Sequence, residues 1–232
     1  MGNSRKTTAH ESAIRAAIAA ERRELAAAFD ALRPEQWDAP SLCAGWRVRE
    51  VVAHMSLGFR HSLPRTLAEL LRARGSLHRM TDRCARADAA RFSAAELAAL
   101  LRDNAHHPWT PPVGGYTSAL GHDVVHGLDV TTALGTGRAV PLDRVRPLLA
   151  AVDRRSLKFF GADLSDVSLH ADDLDWTYGS GAPVRGAAQD LLLVAYGRKV
   201  PRGRLRGEQA ERYTHERTHG RTHIRPHDRS RD

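Results

Sequence analysis

The segment Gly121-His122-Asp123-Val124-Val125-His126-Gly127-Leu128-Asp129 carries two imidazoles four residues apart. In an α-helix positions i and i+4 share a face, so His122 and His126 would point the same way, one turn apart. Two imidazoles so placed can chelate one ion, as the histidines of HExxH helices do. Asp129 follows three residues on, on the same face. It could be a fourth ligand, a partner that orients a histidine, or a surface acid, and the orienting role is favoured. A catalytic divalent site wants about three protein ligands and an open position. His54, inside Val51-Val52-Ala53-His54-Met55, is the best third candidate: it lies on an apolar stripe, where an unpartnered imidazole is costly to bury. Two readings stay open from these residues alone. One is a metal ion held by His54, His122 and His126; the other is a hydrogen-bonded core histidine beside a solvated helix pair.

Other candidate groups carry less. Cys43 and Cys84 are the only cysteines, and neither has a sequence partner for catalysis or a disulfide framework; a reducing cytoplasm is expected. Glu50 reads as an acid at a helix N-terminus. His215, His219, His223 and His227 recur every four residues, but Gly220 and Pro226 interrupt them. They read as part of a solvated tail able to bind nickel or zinc loosely.

Helices must position the central histidines. Ile14, Ala17, Ile18, Leu25 and Phe29 mark an amphipathic helix over 11–32, closed by Pro34. A loop over 33–46 holds Trp37 and Trp46 and should be packed. Val48, Val51, Val52, Met55 and Phe59 predict a helix over 48–74 that breaks or kinks at Pro64. A weaker helix covers 76–91, and Ser93-Ala94-Ala95-Glu96 is a capping box opening another. Pro108 to Gly115 must be a loop, followed by a helix over 116–134 that Gly135-Thr136-Gly137 stops. One further helix is expected over 142–158, with Pro147 in its first turn. Alternation after Gly161 predicts short strands around 167–171, 174–178 and 184–186, and 187–196 reads as an apolar helix.

Composition agrees with helices: the chain of 232 residues is rich in Ala and Leu while aromatics are only 6%, a bias away from strands. No apolar run of about 18 residues offers a membrane span, and the polar start Met1-Gly2-Asn3-Ser4-Arg5-Lys6 argues against a secretion signal. The net charge is +8, but from Arg198 onward 11 Lys/Arg face 5 Asp/Glu, leaving an excess of only two over residues 1–197. Specific nucleic-acid recognition by the folded body is not indicated; the tail can bind polyanions non-specifically and in a salt-sensitive way.

The run Trp37-Asp38-Ala39-Pro40-Ser41-Leu42-Cys43-Ala44-Gly45-Trp46-Arg47-Val48-Arg49-Glu50-Val51-Val52-Ala53-His54 resembles the N-terminal signature of mycothiol-dependent maleylpyruvate isomerase-type proteins, part of the DinB-like superfamily of metal-binding four-helix bundles. The stretch His122 to Gly135 resembles that family's second metal-binding helix, and Asp175 to Gly186 resembles the short C-terminal extension of many members. Together the resemblance spans about residues 11–200. It implies a mainly α protein: a DinB-like four-helix bundle over 8–160, a small α/β extension over 161–200, and a disordered basic tail over 201–232.

The resemblance also implies that His54, His122 and His126 hold a divalent metal. Zinc is the default for such a donor set, and nickel and iron suit imidazole too. In the isomerase the first ligand of the later helix is a glutamate; this sequence has His122 there, which leaves the site more positive. A second departure is Arg47, where relatives commonly carry a threonine able to cap a helix. The implied activity is that of a metal-dependent thiol S-transferase or isomerase, with mycothiol as cosubstrate and a small electrophile as substrate. Nothing local in the sequence marks a thiol pocket. The alternative is a non-catalytic metal-binding bundle with a stress-response or regulatory role. The resemblance is also compatible with a homodimer.

Overall fold

A computed structural model of the protein describes residues 2–215. The helices are α1 (Gly2–Asp30), α2 (Pro34–Trp37), α3 (Val48–Met55), α4 (Leu57–Arg60), α5 (Leu63–Arg72), α6 (Leu77–Arg91), α7 (Ala94–Asp103), α8 (Gly115–Leu134), α9 (Leu142–Ala150) and α10 (Arg154–Phe160). Beyond them come β1 (Val167–Ala171), β2 (Thr177–Gly179), β3 (Ala182–Gly186), α11 (Ala188–Ala195), β4 (Val200–Pro201), β5 (Leu205–Arg206), a 3-10 turn (Ala210–Tyr213) and β6 (Thr214–His215). The protein is mainly helical with a small C-terminal strand region. None of the described helices is long and apolar enough to cross a membrane.

Helices α1, α3, α7 and α8 pack into a bundle, with α6 laid along α3. Its core joins Leu25, Phe29, Trp37, Val51, Val52, Met55, Leu97, Leu101 and Val130. A second core lies between the N-terminal half of α8, α9, α11 and the sheet, through Leu120, Val124, Leu128, Leu148, Leu149, Leu169, Val184 and Leu192. Helix α8 is therefore buried on both flanks, which explains why its sequence is apolar nearly all round. Gly127 lets α1 approach it there: a Cβ at that position would stand 2.6 Å from Leu25 Cδ2.

The four-stranded sheet runs β2-β1-β3-β5. β1 is antiparallel to β2 and parallel to β3, with Leu169 opposite Tyr178 on one side and Val184 on the other. β3 and β5 are antiparallel, and β4 pairs with β6 in a separate parallel ribbon.

Several sequence expectations shift. The 48–74 helix breaks before Pro64, at Ser56 and again at His61; Ser62 then caps α5, with Pro64 in its first turn. The single helix expected over 142–158 is two: Pro147 lies inside α9, and Asp153 caps α10 by accepting from the Ser156 N–H. The strand expected over 174–178 forms only at Thr177–Gly179. Where a disordered tail is expected from residue 201, β4, β5, the 3-10 turn and β6 continue to His215. This segment is basic but not bare of apolar groups: Leu205, Ala210 and Tyr213 join the second core, which outweighs the charge bias that suggested disorder. His219, His223 and His227 lie outside the described residues.

Candidate metal centre

His54 lies in the last turn of α3, and His122 and His126 on adjacent turns of α8. The tertiary fold brings all three together, as the sequence expectation requires. One ligand nitrogen from each lies within 4.8 Å of the others. Ring centroids stand 5.1 Å apart for His54 and His122, 4.8 Å for His54 and His126, and 4.9 Å for His122 and His126. The two α8 rings stand in the i, i+4 relation read from the sequence; His54 arrives because α3 packs across α8.

Each α8 ring is held from behind by a carboxylate. His126 Nδ1 lies 3.0 Å from Asp129 Oδ2, and His122 Nδ1 lies 3.0 Å from Asp123 Oδ1. Carboxylates only accept, so both Nδ1 atoms act as donors and each ring keeps Nε2 free. His54 differs: its Nδ1 is buried with no hydrogen-bond partner among the described residues. Trp46 packs 5.1 Å from the His54 ring and Trp109 packs 5.2 Å from the His122 ring, centroid to centroid. Trp109 can lie there because position 58 is glycine; a Cβ would come within 2.2 Å of the indole.

Asp129 is fully buried and takes hydrogen bonds from groups besides His126. Arg198, just beyond α11, donates Nε to Oδ1 and Nη2 to Oδ2, both at 3.0 Å. The Cys43 thiol donates to Oδ2 at 2.9 Å, and Arg198 Nη2 lies 3.4 Å from the sulfur. Burial alone would push the Asp129 carboxyl up, but the bonds from His126 and Arg198 outweigh it and hold the group well below the usual carboxylate range. Burial, then the Asp129 charge, push the Cys43 thiol up against the pull of Arg198, so it stays protonated. Burial holds His126 down to about 4 despite Asp129. Burial, then the His126 and His122 rings and Arg198, hold His54 well below its ordinary value.

The residues fit a divalent cation. Neutral imidazole is the ligating form, and burial enforces it at His54 and His126. An orphaned, buried Nδ1 on His54 is a polar group without the partner that its burial demands. Cys43, His126 and Asp129 form a second close group, but their mutual hydrogen bonds already use the donor atoms. A cavity of about 430 Å³ between α1, α2 and the end of α8 is lined by Phe29, Leu32, Val130, Leu134 and Arg138, and by none of the three histidines.

Sequence reasoning found the three histidines and the orienting position of Asp129. It passed over Arg22, Asp123 and Arg198. Arg22 had a visible signal: it continues the stripe Ile14, Ile18, Arg22, Leu25, where a charge should not sit. Arg198 had none, because it opens the basic run that continues into the tail, where one arginine does not stand out.

Residues 18–107 match the family described as the mycothiol maleylpyruvate isomerase N-terminal domain. That span contains His54 and stops before α8. Two solved structures are similar in fold, both with a TM-score of 0.57 over 86% of this chain and 93% of theirs. One is the mycothiol-dependent maleylpyruvate isomerase, 12% identical, and the other a histidine-to-alanine mutant of it, 11% identical. No curated protein matches the sequence.

Proposed function

We propose that the protein, whose residues 18–107 match the mycothiol maleylpyruvate isomerase N-terminal domain, is a metal-dependent thiol S-transferase or isomerase of the mycothiol type. His54, His122 and His126 would hold one divalent cation, zinc before nickel or iron on the chemistry of three imidazoles. The observation that carries the proposal is the convergence of three imidazoles within 4.8 Å, with a buried His54 Nδ1 that nothing among the described residues satisfies. Bound there, the cation would lower the pKa of a low-molecular-weight thiol and hold it ready to attack a small electrophile such as maleylpyruvate or an epoxide.

The chain's own groups divide the remaining work. Asp123 and Asp129 hold the α8 rings with Nε2 forward. Trp46 and Trp109 wall the rings with apolar surface, which limits water near a thiolate. Cys43 is kept as a neutral thiol by burial and by Asp129. It therefore does not compete with an incoming thiol as nucleophile.

Bound metal in the full chain should be measured by mass spectrometry for the wild type, His54→Ala and His126→Ala. Because all three proteins keep the C-terminal histidines, the difference isolates the site. A deficit of about one metal per chain in both variants is expected, together with mycothiol-dependent turnover of maleylpyruvate or an epoxide by the wild type alone. Equal metal content in all three would sink the proposal. Loss of metal in the variants with no thiol turnover by any protein would leave a metal-binding bundle without this chemistry.

A further inference from the structure

Arg22 and Asp123 form an ion pair with both side chains fully buried, Nε to Oδ2 at 2.7 Å. They come from α1 and α8, 101 residues apart in sequence. Arg22 Nη1 also donates to the carbonyls of Asn104 and His107, at 3.1 and 2.9 Å, where the chain leaves α7. Its guanidinium lies 4.4 Å from the centre of the Phe59 ring. The other oxygen of Asp123 faces His122 Nδ1 at 3.0 Å.

A buried ion pair is a poor device for stability alone. Desolvating both charges costs about as much as their attraction returns, and a well-packed apolar pair does as well or better. What such a pair does supply is fixed geometry. Here both Asp123 oxygens are committed, one to Arg22 and one to His122, so the carboxylate cannot swing out to take the cation itself. The same guanidinium ties down the 104–107 segment, and Trp109 follows from it, its backbone N–H donating to His107 Nδ1 at 3.1 Å. Trp109 in turn packs on the His122 ring.

We propose that Arg22 and Asp123 are a positioning pair for His122, fixing its Nδ1–H tautomer and the orientation of its Nε2 toward the metal centre. The metal half of this inference rests on the reading given under Proposed function; the tautomer half does not. Arg22→Asp123→His122 is then a line of support built entirely within the bundle.

The test uses the full chain as wild type, Asp123→Asn, Arg22→Met and the double variant. Long-range proton–nitrogen NMR on metal-free protein reads the tautomer of His122. Nδ1–H is expected in the wild type, with a shift toward Nε2–H in Asp123→Asn. A competition titration with a chromophoric zinc chelator reads affinity, with a His122→Ala, His126→Ala protein supplying the background of the C-terminal histidines. Asp123→Asn should weaken zinc binding about 10- to 100-fold. The double variant should bind no more weakly than the worse single variant, because the two residues act as one unit. An unchanged tautomer together with wild-type zinc affinity in Asp123→Asn would overturn the proposal. Should Arg22→Met fail to fold, the nearly isosteric Asp123→Asn still decides. Should the wild type take up no zinc, the metal reading fails, and the tautomer measurement alone decides for or against the pair.

Discussion

His122 and His126 sit one turn apart on the same helix, yet different parts of the molecule brace them. Behind His122 stand Asp123 and Arg22, both fully buried and both from the helical bundle. Behind His126 stand Asp129 and Arg198, and Arg198 comes from the C-terminal region beyond α11, its side chain 19% exposed. Cys43 joins only the second arm. The bundle therefore braces one of these imidazoles by itself, while the other depends on the small α/β layer docking against α8. The extension is part of the site rather than an annex to it.

The largest expected effect separates the arms by stability. Removing one partner of a buried pair strands a charge, at about 3–5 kcal/mol. Arg22→Met should reach that range by urea denaturation of the full chain, and Arg198→Met should fall below it, because water can reach Asp129 through the partly exposed gap. Equal losses, or a larger loss at Arg198, would erase the distinction between a bundle-internal arm and a docked one.

Acid should act on the His126 arm next. His126 titrates at about 4 in the fold and near 6.5 in an unfolded chain. Between those values the unfolded state holds the extra proton, so stability rises with pH there and falls on acidification. The metal-free wild type should keep its full melting temperature above pH 6.5 and lose several degrees by pH 4.5. His126→Gln should show a flatter profile over the same window. A wild-type melting temperature that does not move between pH 7 and pH 4.5 would mean His126 is not held neutral by burial.

A smaller contrast lies in thiol reactivity. Asp129→Asn removes the charge that helps keep Cys43 protonated, so alkylation of Cys43 by iodoacetamide should rise several-fold, with Cys84 as internal reference. Asp123→Asn should leave that rate alone. Equal acceleration by both would show that the arms are not independent. Smallest of all, Cys43→Ser should keep metal content at the wild-type level and stability within about 1 kcal/mol, since a hydroxyl can replace the thiol as donor to Asp129. Loss of metal in Cys43→Ser would instead place the cation among Cys43, His126 and Asp129.

Much of the helical frame could be read from local chemistry. The capping box at Ser93 and Glu96 forms as expected, with Ser93 Oγ accepting the Glu96 N–H and the Glu96 carboxylate receiving the Ser93 N–H. The stop at Gly135 is a left-handed C-cap, φ 66°. The lack of a capping side chain at Arg47 is partly offset: Arg47 accepts no capping bond, but its own N–H donates to Glu50 at 2.8 Å. The breaks inside 48–74 and 142–158 were harder to see, because Ser56, His61 and Ala151 carry no strong punctuation and only packing decides where those helices turn.

By itself the sequence determined which residues could share a helix face, because a period of 3.6 residues is a property of the backbone wherever the helix lies. That suffices for His122, His126 and Asp129. The tertiary structure alone decided that His54 meets that face, that Arg22 and Arg198 close on separate carboxylates, and that residues 201–215 are built into the fold. Those contacts join residues as far as 101 positions apart. Local propensity has no knowledge of such a distance; the contacts exist only because two apolar cores pack on opposite flanks of one helix and carry the charges in with them.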